Sequence, residues 1–594
     1  MKNILLVYPE VPKNTFWSFK YALSLAGKKS AMPPLGLITV AALFPRQYHL
    51  KLVDMNIEPL TEKDIRWADA VFVSAMIVQK ASLQEVIALC NRLNTPIVAG
   101  GPYPTSSYKE IQGVDHFVLG EVEDVFMDIL ADFEKGSAKS VYFAPQHPDL
   151  SRSVVPRFDL LKLESYASMA IQYSRGCPFK CEFCDIWAVY GNRSRVKQPA
   201  HFLAELDRLY ALGWRGSVFI VDDNFIGNKH RVKKELLPSL IQWHKAHDYP
   251  FRFFTEASIN MADDEMLLSL MRDAGFNDVF IGIETPSADA LKETHKTQNL
   301  KTDMKQAIRK IQDYGIGVMA GFILGFDNEG DDIFDLQIAF IQDAAIPQAM
   351  VGLLTALPGT QLYARLAKEG RLTRVTEGNN THNMETNFIT KMESAKLKEG
   401  YKKILATIYD SNLKNYFTRC KTLLDNIGHT PFFQRDIHFN EVKIFFRSIF
   451  RQPFTSYGIE YLKFIIRTLL KRPESISEAI SLSIAGHHYH TITQETLKAE
   501  KVSHALEENY AYVCEQLNAY SAILKNNYRE GIKGIAKLWK QKSHLLEDIR
   551  KKIDKIHIDF REDISRKHYD MSDKMKILFA AFEKDLVQYG VQYR

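Results

Sequence analysis

This sequence has no long apolar run. Nowhere does it reach the about 18 uninterrupted apolar residues that a membrane-spanning helix needs. It also lacks low-complexity tracts and short-period repeats, which sets repeat architectures aside and leaves an ordinary globular composition. Cysteine is scarce, six in 594 residues, too few for a disulfide framework. Three of the six, Cys177, Cys181 and Cys184, fall close together, and such clustering in a reducing compartment points to metal. Cys90, Cys420 and Cys514 are scattered and are expected to be ordinary buried cysteines. The apolar stretch within Lys2–Pro9 is too short for a signal peptide and is expected to be a buried first strand. The expected compartment is the cytoplasm, with peripheral contact at the inner face of the membrane left open.

With 594 residues and 46% hydrophobic content, the chain has more than one core's worth of material, and three domains are expected. The net charge of +5 is unevenly spread. Residues 391–594 carry 35 Lys and Arg against 25 Asp and Glu, so the basic end is the one that asks for a partner.

Residues 1–140 alternate strand-like and helix-like segments. The strands are expected at Ile4–Tyr8, Leu50–Asp54, Ala70–Ser74, Ile97–Gly101 and His116–Gly120. Such alternation predicts an α/β, doubly wound, Rossmann-like parallel sheet with ligands beyond the carboxyl ends of its strands. Residues 141–167, with Pro145, Pro148 and Pro156, are expected to be a linker. Residues 168–390 resume the alternation with six strands, from Met169–Tyr173 to Ala349–Thr355, which predicts a partial (β/α)6 barrel. Residues 391–594 are expected to form a helical C-terminal domain.

The central motif is Ser174-Arg175-Gly176-Cys177-Pro178-Phe179-Lys180-Cys181-Glu182-Phe183-Cys184. It follows the first strand of the second alternating region, so the cysteines lie on a loop at the catalytic end. A 4Fe–4S cluster is commonly held by four thiolates; three leave one iron open, able to chelate the amino and carboxylate groups of S-adenosylmethionine. The C-x3-C-x2-C spacing, with Phe183 before the last cysteine, resembles that of the radical SAM superfamily. A zinc site or an electron-transfer cluster is the alternative, although no fourth Cys or His follows at zinc-knuckle spacing.

Asp222 and Asp223 end the second barrel strand, Glu256 the third and Glu284 the fourth. In the superfamily the strand end at Asp222 and Asp223 supplies contacts to the methionine amino group, and carboxylates can accept hydrogen bonds from an ammonium. Glu256 and Glu284 could take ribose hydroxyls or that amino group. Each carboxylate has a plainer alternative, a helix N-cap or a structural ion pair.

The chain resembles the cobalamin-binding radical SAM proteins, in particular the hopanoid C2-methylase group, whose members end in a helical domain of unassigned function. The stretches that carry the resemblance include Met32–Leu37, Val53–Asn56, Ala99–Pro102, Gln172–Cys184, Val221–Gly227, Gly282–Pro286 and Ala356–Thr360. The resemblance implies a cobalamin between the doubly wound domain and the barrel. Its expected contacts are Pro34, Gly36, Asp54, Asn56, Ser74, Gln79, Gly100, Gly101, Gly120 and Glu121. Many cobalamin domains carry Asp-x-His-x-x-Gly, whose His ligates cobalt from below. Here the stretch is Asp54-Met55-Asn56-Ile57-Glu58, so cobalamin is expected without that ligand. A domain kept only for packing or substrate is the alternative.

The resemblance further implies reductive cleavage of S-adenosylmethionine to a 5′-deoxyadenosyl radical, hydrogen abstraction from an unactivated carbon, and methyl transfer by way of cobalamin. The expected substrate is hydrophobic and lipid-like, and the expected electron donor is of the flavodoxin or ferredoxin type. Non-methylating radical chemistry and a cluster- and cobalamin-binding sensor or carrier without turnover are the competing functions. No nucleic-acid-binding motif occurs. Residues 441–472 mix aromatic and aliphatic with basic residues at helical spacing, which fits either a membrane interface or a hairpin packed on the barrel with a solvated basic face. Residues 540–567 are expected to be a charged solvated face or an oligomer contact.

Overall fold

Strands and helices alternate as far as residue 353, and the rest is mainly helical. A computed structural model describes residues 2–144, 146–382, 384–427 and 439–588. The chain divides into two compact units, 1–490 and 491–594.

The first sheet holds β1 (Asn3–Tyr8), β2 (His49–Asp54), β3 (Ala70–Ser74), β4 (Ile97–Gly100), β5 (His116–Leu119) and β6 (Val141–Phe143). All pairings are parallel, in the order β2-β1-β3-β4-β5-β6. β1 is apolar from Ile4 to Val7 because both faces of the sheet are covered. Leu5 and Val7 join one core with Val53 and Val71, while Ile4 and Leu6 join another with Leu37, Phe44 and Phe72. The strand order reverses at β1, so the loops after β1 and β3 bound a crevice. β6 lies in the stretch expected to be linker; three residues are too few to register as a period-two pattern.

The second sheet runs β7 (Ser168–Ile171), then a small antiparallel ribbon of β8 (Ser174–Arg175) and β9 (Arg195–Val196), then β10 (Ser217–Ile220), β11 (Arg252–Ala257), β12 (Phe276–Glu284), β13 (Gly317–Leu324) and β14 (Ala349–Leu353). Its main strands are parallel in the order β7-β10-β11-β12-β13-β14, a partial barrel. On β11, Phe253, Thr255 and Ala257 are buried, while Arg252, Phe254 and Glu256 on the alternate face are partly open. That alternation separates the helix-covered outside from the lumen.

A six-stranded barrel leaves β14 as an open edge, and such an edge needs cover. The helices Ser394–Ile408 and Lys414–Asn426 provide it. The Tyr409 hydroxyl donates to the Ala349 carbonyl at 2.8 Å and accepts from its N–H at 3.0 Å, and the Tyr401 hydroxyl donates to the Val351 carbonyl at 3.0 Å. Arg419 is fully buried and donates to the carbonyls of Ile346 at 2.8 Å and Ile408 at 2.9 Å and to the Gln342 side chain at 2.9 Å. Farther along, Glu478 pairs with Arg252 at 3.1 Å and the Tyr489 hydroxyl donates to the Gln348 side chain at 3.2 Å, so the compact unit runs to 490. Cys90 and Cys420 are buried as expected, while Cys514 is only partly so.

The second unit has its own core of Val513, Leu517, Ile535, Leu538, Met575 and Phe579. The charged stretch expected at 540–567 includes exposed i,i+4 pairs, Lys551 with Glu547 and Lys552 with Asp548, as on a solvated face.

Replacing Arg419 with methionine keeps the apolar stem and strands the carbonyls. A loss of about 3 kcal/mol in unfolding free energy is expected, read by urea denaturation.

Candidate cluster and cofactor site

The three cysteines follow β7 on a loop that two neighbouring aspartates hold. Asp222 accepts from the Tyr173 N–H at 2.7 Å, the Ser174 N–H at 2.8 Å and the Ser174 hydroxyl at 2.6 Å. Asp223 accepts from the Gly176 N–H at 2.9 Å. Gly176 has φ of 88°, and a Cβ there would lie 2.6 Å from the Arg193 carbonyl oxygen and 2.9 Å from those of Tyr190 and Gly191. Only glycine lets the loop close on that segment.

Burial pushes the thiols of Cys177, Cys181 and Cys184 up. Cys181 acts electrostatically on both of the others and the Lys296 ammonium acts on all three, so they share one pocket. The Asn224 amide approaches the Cys177 Sγ at 3.8 Å, and the Gln298 amide approaches the Cys181 Sγ at 4.0 Å. Three sulfurs, that of Cys181 buried and those of Cys177 and Cys184 partly so, with amide donors and a nearby cation fit an iron–sulfur cluster. Among the described residues no three His, Cys, Asp or Glu side chains form a group that could hold a metal ion. A four-iron cluster takes each thiolate on a different iron, so its ligands need not converge on one point.

Further carboxyls gather at this end of the barrel. Glu284 ends β12 with φ of 65°, a strained conformation for a side chain other than glycine. It is held by Lys296, whose Nζ lies 2.6 Å from its Oε1, while the Asn299 amide donates to the carbonyls of Gly282 and Ile283, both at 3.0 Å. Burial alone would lower Lys296; Glu284 and Cys181 raise it above the usual lysine range. Burial pushes Asp222 and Glu256 up to about 7 and Asp223 to about 6, with repulsion from Asp223 and Glu284 adding to the rise at Glu256. Asp222 has both oxygens engaged by the loop, and Glu256 is partly open to the lumen. The Phe183 ring packs 5.9 Å from that of Phe326.

The ten positions expected at the cobalamin side divide in two. Asn56, Ser74, Gly100, Gly101 and Gly120 are at least partly exposed at the strand ends, and Gly36 is exposed in the helix Leu35–Leu43. Gly101 has φ of 92°, and a Cβ there would lie 2.5 Å from the Ser74 Oγ. Pro34, Asp54, Gln79 and Glu121 are buried. Asp54 accepts from the Asn56 N–H at 2.9 Å and amide at 2.7 Å and from the Tyr166 hydroxyl at 3.0 Å. The amides of Asn56 and Gln79 donate to the Pro9 carbonyl at 3.3 and 2.5 Å, and the Asn56 Oδ1 accepts from the Val11 N–H at 2.9 Å. Open, glycine-rich strand ends beside a crevice fit a bulky planar ligand.

Glu121 lies where the two sheets meet. Its Oε2 accepts from Arg175 at 2.6 Å and its Oε1 from Arg195 at 2.5 Å, with the His147 Nδ1 2.8 Å from Oε1. Arg175 also pairs with Glu123 at 2.7 Å. Burial opposes ionisation of Glu121, yet the charges of Arg175 and Arg195 hold its carboxyl below the usual value. Sequence reasoning missed Arg175, Arg195, Lys296, Asn224 and Gln298 as site residues. Asn224 alone had a signal, its place beside Asp222 and Asp223.

Residues 25–130 match the B12 binding domain, 171–337 the radical SAM superfamily, and 360–501 a domain of unknown function, DUF4070. The chain is 44% identical to an uncharacterised methyltransferase of Synechocystis, over 68% of this chain and 76% of that protein. It is 32% identical to the hopanoid C-2 methylase of Rhodopseudomonas palustris, over 86% of this chain and 96% of that protein. In fold it resembles a radical S-adenosylmethionine methyltransferase, TsrM, from Kitasatospora setae, with a TM-score of 0.50 at 19% identity, over 63% of this chain and 78% of that one.

Glu121→Gln leaves two partly buried guanidinium groups short of charge, Arg175 keeping only Glu123, and is expected to cost about 2 kcal/mol at pH 7. Because the folded value lies below the ordinary 4.5, the contribution of Glu121 is complete above that pH and is lost as pH falls through the folded value. The difference in urea-unfolding free energy between wild type and Glu121→Gln should therefore shrink below pH 4.5.

Proposed function

The chain belongs to the cobalamin-binding radical SAM methyltransferase family, and within it we propose an enzyme that methylates an unactivated carbon of a hydrophobic, lipid-like substrate. When bound, the 4Fe–4S cluster supplies the electron that cleaves S-adenosylmethionine and cobalamin carries the methyl group. Cys177, Cys181 and Cys184 hold the cluster. Asp222 and Asp223 fix the loop that presents it. Glu256 takes the ammonium or ribose hydroxyls of S-adenosylmethionine, and Glu284 orients Lys296 beside the cluster. Ser74, Gly100, Gly101 and Gly120 line the cobalamin side, while Pro34, Asp54, Gln79 and Glu121 shape it from within. Asn56 stands at the position where many cobalamin domains carry the His, and its amide is engaged by Pro9 and Asp54, so it would shape the cobalamin side rather than supply an imidazole.

The observation that carries the substrate class is the lining of the barrel lumen. Phe219 of β10 stacks on Phe254 of β11 with centroids 4.7 Å apart and planes within 5°. Phe280 of β12 continues the wall, with the half-exposed Trp17 ring 5.9 Å from it. Aromatic walls favour apolar ligands and give up little conformational freedom in holding them. A low-potential flavodoxin or ferredoxin is the proposed electron donor. A lipid-like substrate also favours a location at the inner face of the membrane, peripheral to it.

The test supplies a lipid extract, reductant and S-adenosylmethionine carrying a labelled methyl group to the reconstituted enzyme. Label is expected in an organic-soluble product heavier by one methylene, and its formation should vanish in Cys181→Ala. A product formed without label would replace methylation by another radical outcome. No 5′-deoxyadenosine under strong reduction would point to a sensor or carrier.

A further inference from the structure

Among the described residues, nine of the 25 exposed large apolar side chains lie between 442 and 470. The helices Phe439–Arg451 and Gly458–Lys471 carry eight of them, and Phe454 lies in the turn between. On the second helix Tyr461, Phe464, Ile465 and Thr468 are buried, which accounts for its inner face. The outer face is equally apolar: Ile459, Ile466 and Leu470 are 72%, 54% and 79% exposed. On the neighbouring segment Phe450 and Phe454 are 68% and 88% exposed. A contiguous apolar surface on a folded chain marks an interaction site rather than packing that failed.

Charge identifies the occupant. Residues 439–472 hold seven Lys and Arg against two Glu. Lys463, Arg467 and Lys471 interleave with the outer apolar residues on the same helical face. A second copy meeting this face about a twofold axis would set its cations against those of the first. A bilayer rich in anionic headgroups accepts both features at once: the apolar side chains enter the acyl boundary while the cations meet phosphate. No helix among the described residues is long and apolar enough to cross a membrane, so contact would be in the plane of the interface.

We infer that the outer face of Gly458–Lys471, with Phe450 and Phe454, docks the enzyme on anionic membrane. The surface rests on the membrane-side location proposed above, but its binding is measured without turnover, so the two can fail separately. The reconstituted full chain is sedimented with vesicles of phosphatidylcholine alone and with vesicles containing phosphatidylglycerol. Binding is expected only to the latter, falling as salt rises. The triple variant Ile459→Ser, Ile466→Ser, Leu470→Ser should bind about tenfold more weakly or worse, and Lys463→Glu with Lys471→Glu should also lose binding. Both variants should keep the wild-type circular dichroism and melting temperature, since the altered side chains face outward. Equal sedimentation of the triple variant and wild type, or no binding to either vesicle, would overturn the inference. So would a wild-type dimer in light scattering that the triple variant abolishes, since a second copy would then be the occupant.

Discussion

The carboxylate of Glu121 joins the two sheets, and the alignment of the cluster loop with the first sheet depends on it. Glu121 follows β5 of the first sheet, whereas both guanidinium groups it accepts from belong to the ribbon of β8 and β9. Arg175 sits two residues before Cys177. Any shift of the first sheet is therefore passed to the start of the loop that carries the sulfurs. A buried carboxylate between two arginines is costly to break, and charge-assisted bonds fix geometry more tightly than apolar packing does. In this way the strand ends of the two sheets are held in a fixed relation to one another.

Further contacts of the first unit cover an edge of the second sheet. A partial barrel exposes two strand edges, and at β14 the tyrosines at 401 and 409 with Arg419 cover the edge using hydroxyl and guanidinium groups rather than a seventh strand. That cover shields the β14 edge from bulk water and from pairing with another strand. Part of the stretch matching the domain of unknown function thus has a structural role.

Much of this was legible in the sequence. Buried parallel strands show as short apolar runs, and the cysteine spacing fixes the loop that follows β7. The sequence was less informative about which carboxylates meet ligand. Asp222 and Glu256 both end barrel strands, yet one has its oxygens engaged by backbone and hydroxyl donors nearly fifty residues away and the other opens to the lumen. Glu121 was expected against cobalamin, and the arginines that claim it lie far along the chain with no local signal. Lys296 stands on a loop after a short helix, where a lysine has no distinguishing pattern. The edge-sealing role of Arg419 was equally hidden, because a lysine-rich helical stretch resembles a solvated one until its buried face is seen.

The coupling of the two sheets is tested most directly by comparing wild type with Glu121→Gln after reconstitution with iron, sulfide and hydroxocobalamin. With lipid extract, S-adenosylmethionine and a low-potential reductant, 5′-deoxyadenosine and S-adenosylhomocysteine are quantified together. Wild type should form both in equal amounts. The variant, in which Glu123 still holds Arg175, should continue to form 5′-deoxyadenosine while S-adenosylhomocysteine falls behind. S-adenosylhomocysteine that keeps pace in the variant, or wild type that forms 5′-deoxyadenosine alone, would contradict the account.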